Sequence, residues 1–184
     1  MVNALCEELI LRKWEAVGSE LQTIYLGGGT PSILSYEELQ QLFRTIFTHY
    51  KVNTAAEITL EANPDDFFRA TCPEQFLKQL RSLGINRLSL GVQSFFEEDL
   101  RLMNRVHTVS QVETLLQIAP QYFNNITIDL IYGIPRMSEE RWQENINKAL
   151  SFDIPHISAY ALTVEEKTAL HKFIATGKIA PISD

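Results

Sequence analysis

The chain has 184 residues, of which 45% are hydrophobic, and carries a net charge of −7 with an isoelectric point near 5.1. This length allows one large domain or part of one, and the acidic charge argues against a nucleic-acid partner and against electrostatic binding to anionic lipids. No apolar run approaches the roughly 18 residues of a transmembrane helix and the N-terminus has no signal-peptide pattern, so we predict a cytoplasmic protein without a transmembrane segment.

Strand and helix signals alternate along the chain after an N-terminal amphipathic helix. The spacing of apolar residues predicts helices at Ala4–Trp14, Tyr36–His49, Pro73–Leu83, Phe96–Met103, Gln111–Ala119, Glu139–Phe152 and Lys167–Ala175. Short apolar runs between them predict strands at Thr23–Leu26, Glu57–Glu61, Arg87–Leu90, Thr127–Ile131 and His156–Ala161. Because alternating βα units form parallel sheets, we expect an α/β domain with about five parallel strands, either an open doubly wound sheet or part of a (β/α) barrel.

Helix starts carry the S/T-x-x-E pattern of the capping box, in which a hydroxyl and a carboxylate bind the first free backbone N–H groups of a helix. The pattern occurs at Ser35 with Glu38, Thr71 with Glu74, Ser94 with Glu97, and Ser110 with Glu113. We therefore assign these four glutamates to helix capping rather than to catalysis.

Polar residues and glycines follow the carboxyl ends of the predicted strands. In chain order they are Gly27-Gly28-Gly29-Thr30, Glu61-Ala62-Asn63-Pro64, Gly91-Val92-Gln93-Ser94, Asp129 with Tyr132-Gly133-Ile134-Pro135, and Tyr160 with Thr163. Because parallel strands end at one edge of a sheet, we expect these residues to form one site. Three consecutive glycines add no packing to a sheet and suit the close approach of bare backbone to a ligand.

Two carboxylates interrupt apolar strands in this set. Glu61 and Asp129 are costly to bury unless they are paired or hydrogen-bonded, so each could be a structural carboxylate beside an arginine. Together with Gln93 and the glycines, they favour ligand contact. Arg105 is the available cation and could bind a ligand carboxylate with two parallel hydrogen bonds. These residues predict a site for a polar small molecule with an ammonium group and a carboxylate or ribose.

Metal and nucleotide motifs are sparse in the sequence. Cys6 and Cys72 are its two cysteines, and their number excludes a disulfide framework or a site made of cysteines alone. The four histidines have no HxxH or HExxH spacing, so we assign no metal ligand. The sequence also lacks a nucleophile elbow, a triphosphate-binding P-loop and a dinucleotide-binding glycine fingerprint.

Five segments, in order and spacing, resemble the radical S-adenosylmethionine (SAM) superfamily, in the branch of oxygen-independent coproporphyrinogen III oxidases and HemW-like haem chaperones. They are Ile24–Ser32, Leu60–Pro64, Asn86–Ser94, Met103–Arg105 and Ile128–Pro135. The resemblance implies a partial TIM-like (β/α) barrel with SAM lying across the strand ends. The SAM contacts that it implies are Gly28, Gly29 and Thr30 through backbone groups, and Glu61, Gln93, Arg105 and Asp129 through side chains, with Arg105 near the carboxylate of SAM.

Within this branch, Asn63-Pro64 and the segment Tyr160–Glu165 resemble HemW-like proteins, although Glu166-Lys167 replaces the Pro-Gly of the family. The HemW-like assignment implies binding of haem or porphyrin and transfer of haem to a haem-accepting protein. The alternative within the family is a coproporphyrinogen III dehydrogenase. Two alternatives outside it are a small-molecule binding module without a cluster and a structural fragment with an empty rim.

The family's defining CxxxCxxC motif, whose three thiolates hold a [4Fe–4S] cluster, does not occur in the sequence. We therefore expect residues 1–184 to be a core fragment that lacks the first strand with the cluster loop, and the C-terminal domain. No catalytic residue is assigned, and we do not expect radical chemistry from this chain by itself. An exposed edge of the half-barrel would favour self-association.

Overall fold

The computed structural model describes residues 1–69 and 72–179. Five strands form one sheet: β1 (Leu21–Leu26), β2 (Val52–Ala62), β3 (Arg87–Gln93), β4 (Asn125–Tyr132) and β5 (His156–Ala161). They pair in chain order, and every neighbouring pair is parallel. Right-handed crossovers that always step in the same direction place the helices on one side, and the sheet curls into a half-barrel. The predicted partial TIM-like α/β fold is confirmed, and the open doubly wound alternative is wrong.

Seven α-helices accompany the strands in the described part of the chain. They are α1 (Val2–Arg12), α2 (Tyr36–His49), α3 (Pro73–Ser82), α4 (Glu97–Leu102), α5 (Val109–Ile118), α6 (Glu139–Leu150) and α7 (Ala169–Ala175). Each predicted helix is present, with ends displaced by at most two residues. Among the described residues, no helix combines the length and the apolarity that a membrane crossing requires.

The two faces of the sheet differ in polarity because successive strand residues point to opposite sides. On the convex face, Leu60, Leu88 and Ile128 are fully buried beneath the helices. The helices contribute the other side of this core, with Leu39, Phe43, Leu77, Leu80 and Leu115. The concave face carries a largely polar row, with Glu57, Thr59, Arg87, Thr127 and His156. A parallel sheet is ordinarily apolar on both faces, so this polarity marks the concave face as a surface for polar contacts.

Of the four predicted capping boxes, one is confirmed. The Ser35 side chain accepts a hydrogen bond from the Glu38 N–H, and the Glu38 carboxylate accepts one from the Ser35 N–H. The prediction for Thr71 falls outside the described residues, and the N-cap of α3 is Cys72.

The predictions for Ser94 and Ser110 are wrong. Helix α5 is instead capped by a reciprocal pair, Thr108 with Gln111, two residues earlier than predicted. Helix α4 begins after Phe96, which is its N-cap and makes no side-chain cap hydrogen bond. The buried Ser94 hydroxyl donates to Asp99 at 2.7 Å and accepts the Phe96 N–H at 3.1 Å, so it does not bind an N–H group inside the helix. A short sequence pattern cannot choose between these partners when several hydroxyls lie close to the same helix start.

Asn145 of α6 links the end of β3 to the helical layer. It is completely buried, and its side-chain oxygen accepts the Phe95 N–H at 2.7 Å. We expect Asn145→Ala to lower the free energy of unfolding by about 1–3 kcal/mol, because a buried backbone donor loses its partner. Urea denaturation measures this loss. Asn147→Ala, on the exposed side of the same helix, should change stability by less than about 0.5 kcal/mol, and equal losses in the two variants would contradict the assignment.

Candidate functional site

A polar cavity of about 220 Å³ lies at the carboxyl ends of the strands. Six of the seven residues predicted for the site line it together: Gly29, Thr30, Glu61, Gln93, Arg105 and Asp129. The seventh, Gly28, lies on a neighbouring groove of about 880 Å³ that runs along β1 between α1 and α2. Tyr160 and Thr163, which belong to the predicted rim, are not among the residues that line the cavity. The parallel sheet thus brings residues from four strand ends and one helix end to one place.

Four further residues line the cavity wall: Ala62, Asn63, Ser89 and Gly91. Ala62, Asn63 and Gly91 belong to the strand-end segments that the sequence predicts for the site, although no ligand contact is assigned to them. Ser89 was not predicted. It lies beside Glu61 in the pairing of β2 with β3, so period-two alternation places it on the same face as that carboxylate. A small uncharged residue within a strand does not stand out in the sequence, and charge alone does not identify it.

Glu61 is held from outside the cavity by Tyr25. The Tyr25 hydroxyl donates to Glu61 Oε1 at 2.6 Å, and this hydrogen bond, with a smaller contribution from burial, raises the pKa of Tyr25 to about 12. Gly27 lies directly against the pair. A Cβ at Gly27 would lie 2.6 Å from the Tyr25 ring and 2.8 Å from the Glu61 carboxyl carbon. The first glycine of the triplet is therefore required by the packing of these two side chains.

Gln93 reaches the cavity through an unusual backbone conformation. The register between β3 and β4 shifts between Leu90 and Gln93, and Gln93 has a φ of 67°, in the left-handed region. Its side chain is buried and folds back over Gly91, where a Cβ would come within 2.7 Å of Gln93 Nε2. Non-glycine residues in this region carry strain of about 1–2 kcal/mol, and such residues cluster at functional sites.

Arg105 is aimed at the cavity by the end of α4. Asn104 adopts a left-handed φ of 55°, the Asn104 N–H donates to the Arg101 carbonyl, and the Arg105 N–H donates to the Leu100 carbonyl at 2.8 Å. These contacts form a Schellman motif, in which asparagine is one of the few residues that tolerate the left-handed position. The motif ends the helix and turns Arg105 back toward the strand ends.

The Arg105 guanidinium is a half-buried cation. Burial lowers the pKa of Arg105, while the charges of Asp65 and Asp129 act in the opposite direction. Within residues 1–69 and 72–179, no carboxylate lies within 4.0 Å of this guanidinium. The neighbouring His107 is buried, and its Nε2 lies 3.1 Å from the Val92 carbonyl oxygen, which anchors the segment. A desolvated arginine without a direct ion pair is suited to a ligand carboxylate.

Asp129 is the second carboxylate of the cavity wall, after Glu61. Burial raises the pKa of Asp129, and repulsion by the Glu61 carboxylate raises it further. The Ser158 hydroxyl and the charges of His156 and Arg87 act against this rise. An Asp129 carboxylate whose charged form is disfavoured by burial and by the charge of Glu61 favours a ligand that brings a positive charge or hydrogen-bond donors.

A hydrogen-bonded row lies below the cavity on the concave face. Arg87 donates to Thr127 Oγ1 at 2.7 Å, and the same oxygen lies 2.9 Å from His156 Nδ1. Arg87 also lies 3.7 Å from the carboxylate of Glu57, which accepts a hydrogen bond from Asn125. This row ties β2, β3, β4 and β5 together and supports the residues above it. In the described residues, no group of three or more His, Cys, Asp or Glu side chains is arranged to hold a metal ion.

The sequence model of the Radical SAM superfamily matches residues 4–149. The chain belongs to the radical SAM superfamily. The haem chaperone HemW of Bacillus subtilis (strain 168) is 38% identical over 180 residues, which are 97% of this chain and 46% of that protein. HemW of Escherichia coli (strain K12) is 36% identical over 154 residues, 83% of this chain and 39% of that protein. The chain thus spans less than half the length of these curated relatives.

Among solved structures, coproporphyrinogen III oxidase (HemN) from Escherichia coli, a radical SAM enzyme, has a similar fold. It superposes with a TM-score of 0.81 at 30% sequence identity, covering 97% of this chain and 39% of that chain. These similarities confirm the resemblance to the branch of coproporphyrinogen oxidases and HemW-like proteins that the five sequence segments indicate.

The raised pKa of Asp129 leads to a prediction about stability. A carboxyl group whose pKa is raised by folding stabilises the folded state at low pH and loses that contribution as pH rises through its folded pKa. We expect Asp129→Asn to unfold at higher urea concentration than the unmodified chain at pH 7, with the difference shrinking as pH falls through the raised pKa. The exposed Glu7→Gln is the control and should show no such pH-dependent gain. A destabilised Asp129→Asn at pH 7 would contradict the prediction.

Proposed function

We propose that this chain is the SAM-binding core of a HemW-like haem chaperone. The observation that carries the proposal is the charge arrangement of one cavity, with Glu61 and Asp129 on its wall and the half-buried Arg105 free of a direct ion pair within the described residues. The amino-acid end of SAM carries an ammonium group and a carboxylate, which complement these charges. The charge pattern and the family membership support the same ligand independently.

The cavity suits one end of SAM. Its volume of about 220 Å³ is below the roughly 300–1,000 Å³ of pockets that enclose a whole drug-sized ligand. In this proposal the methionine end occupies the cavity and the adenosine extends along the concave face. Backbone groups of Gly28, Gly29 and Thr30 contact the methionine end, and Arg105 binds its carboxylate. Glu61 or Asp129 binds the ammonium group or the ribose, and Gln93 contributes its amide.

The residues present do not fit the [4Fe–4S] cluster of the superfamily. A site-differentiated cluster needs three thiolates, whereas the sequence has two cysteines. Cys6 is buried in α1 and Cys72 is exposed before α3. We therefore derive no radical step for this chain. The groove along the outer edge of β1 supports the expectation that a further strand, with the cluster loop, belongs beside β1 in the longer protein.

Haem transfer is favoured over porphyrin oxidation by the similarity to HemW proteins and by Asn63-Pro64 after β2. In this proposal the longer protein binds haem and passes it to a haem-accepting protein in the cytoplasm. The similarity to HemN favours a second candidate, coproporphyrinogen III dehydrogenase. Assays of the longer protein distinguish the two candidates, because a chaperone retains and transfers haem, whereas a dehydrogenase consumes coproporphyrinogen.

SAM binding is the direct test of the proposal. We expect isothermal titration calorimetry to show that the chain binds SAM, and that Arg105→Ala and Asp129→Ala each weaken binding by about tenfold to a hundredfold, since each removes a charge-assisted contact. Arg101→Ala, an exposed arginine of α4, is the matched control and should leave the affinity unchanged. Absent binding would support a structural fragment, and equal binding of SAM and common nucleotides would support a general binding module.

Cluster assembly gives a second test. After incubation with iron and sulfide under anaerobic conditions, we expect neither the visible absorption of a [4Fe–4S] cluster nor the formation of 5′-deoxyadenosine from SAM, because the chain has too few thiolates for the cluster. Either signal from the chain by itself would overturn its assignment as a core without radical chemistry. Coproporphyrinogen III oxidase (HemN) of Escherichia coli, a radical SAM enzyme, serves as the positive control.

A further inference from the structure

Tyr25 is placed to act on the cavity without being part of its wall. It lies on β1 opposite Thr59 of β2, and its ring faces the groove along β1 rather than the cavity. Its hydroxyl nevertheless reaches Glu61 Oε1 at 2.6 Å. This distance is in the range of the stronger charge-assisted O–H···O⁻ bonds. The side chain is 57% exposed, so the bond is not a by-product of packing in the core.

The Tyr25 hydroxyl remains a donor throughout the physiological pH range. With its pKa raised to about 12, chiefly by the hydrogen bond to Glu61, the phenol keeps its proton at neutral pH. A phenol can donate one hydrogen bond, and here Glu61 Oε1 accepts it. Glu61 Oε2 has no hydrogen-bond partner among the described residues. The carboxylate therefore has one oxygen held by the protein and one oxygen available to a ligand.

Gly27 makes this arrangement possible. A Cβ at Gly27 would collide with both partners, whereas a Cβ at Gly28 or Gly29 would meet nothing within 4 Å. The glycine triplet therefore has a divided role. Its first member admits the tyrosine–glutamate pair, while its third member lines the cavity. The tyrosine–glutamate pair, rather than the ligand, therefore explains why position 27 is a glycine.

We propose that Tyr25 is a positioning residue that orients the Glu61 carboxylate toward the ammonium group of SAM and thereby sets the preference of the cavity for an amino-acid ligand. The inference rests on the proposed function, because it assumes that SAM occupies the cavity. It goes further in assigning the ammonium group to Glu61 rather than to Asp129. A merely structural Tyr25 would stabilise the pairing of β1 with β2 and have no selective effect on one group of the ligand.

The test is a comparison of four proteins and two ligands by isothermal titration calorimetry. The proteins are the unmodified chain, Tyr25→Phe, Glu61→Gln and the double variant. The ligands are SAM and a SAM analogue in which hydrogen replaces the α-amino group. We expect Tyr25→Phe to weaken SAM binding about threefold to tenfold, the scale of one hydrogen bond to a charged group, and to leave binding of the analogue unchanged. In the Glu61→Gln background, Tyr25→Phe should have no further effect.

Tyr36→Phe is the matched control, because it removes a tyrosine hydroxyl that lies 3.2 Å from Ser82 Oγ, away from the cavity. It should leave the affinity for both ligands unchanged. Thermal unfolding of each variant verifies that the fold is retained. If Tyr25→Phe weakens both ligands equally, or leaves SAM binding unchanged, the positioning role is wrong while the proposed function stands. If the unmodified chain does not bind SAM, the proposed function fails and this inference fails with it.

Discussion

All five strands run in the same direction, and this shared direction is the constraint on which the candidate site depends. Because parallel strands end at one edge, Glu61 and Asp129, which are distant in sequence, line the same cavity. Their neighbours Leu60 and Ile128 are completely buried on the opposite face. A shift of one residue in either strand would exchange these positions, placing a carboxylate in the core. The hydrophobic core therefore determines which way the polar residues of the site point.

The cavity holds charges that the protein's own groups do not neutralise well. Asp129 and Glu61 repel each other, and Arg105 loses hydration through burial without gaining a direct ion pair in the described residues. The scaffold tolerates these costs because the Schellman turn at Asn104 and the row from Arg87 to His156 hold the surrounding backbone in place. A ligand with both signs of charge would relieve the repulsion and complete the arginine's hydrogen bonding.

Periodicity and turn chemistry predicted the order of the elements, the parallel sheet and most of the cavity, because those features follow from local patterns along the chain. Strand β2 begins at Val52 rather than Glu57, since Asn53 and Thr54 conceal its apolar pattern. The cap of α4 and the pair between Tyr25 and Glu61 depend on contacts between segments, which local patterns do not contain. The sequence shows that Arg105 carries a charge, but the orientation of its side chain is set by the backbone turn at the end of α4 and could not be predicted from local patterns.

The left-handed backbone at Gln93 has a consequence for laboratory evolution of this protein. Glycine adopts that conformation without strain, so a screen for heat resistance would reward glycine at this position. Glycine would also remove the amide that covers Gly91 and lines the cavity. Selection for robustness alone would then yield a sturdier chain with a poorer binding site. Libraries for thermostabilisation of this domain should therefore keep position 93 constant.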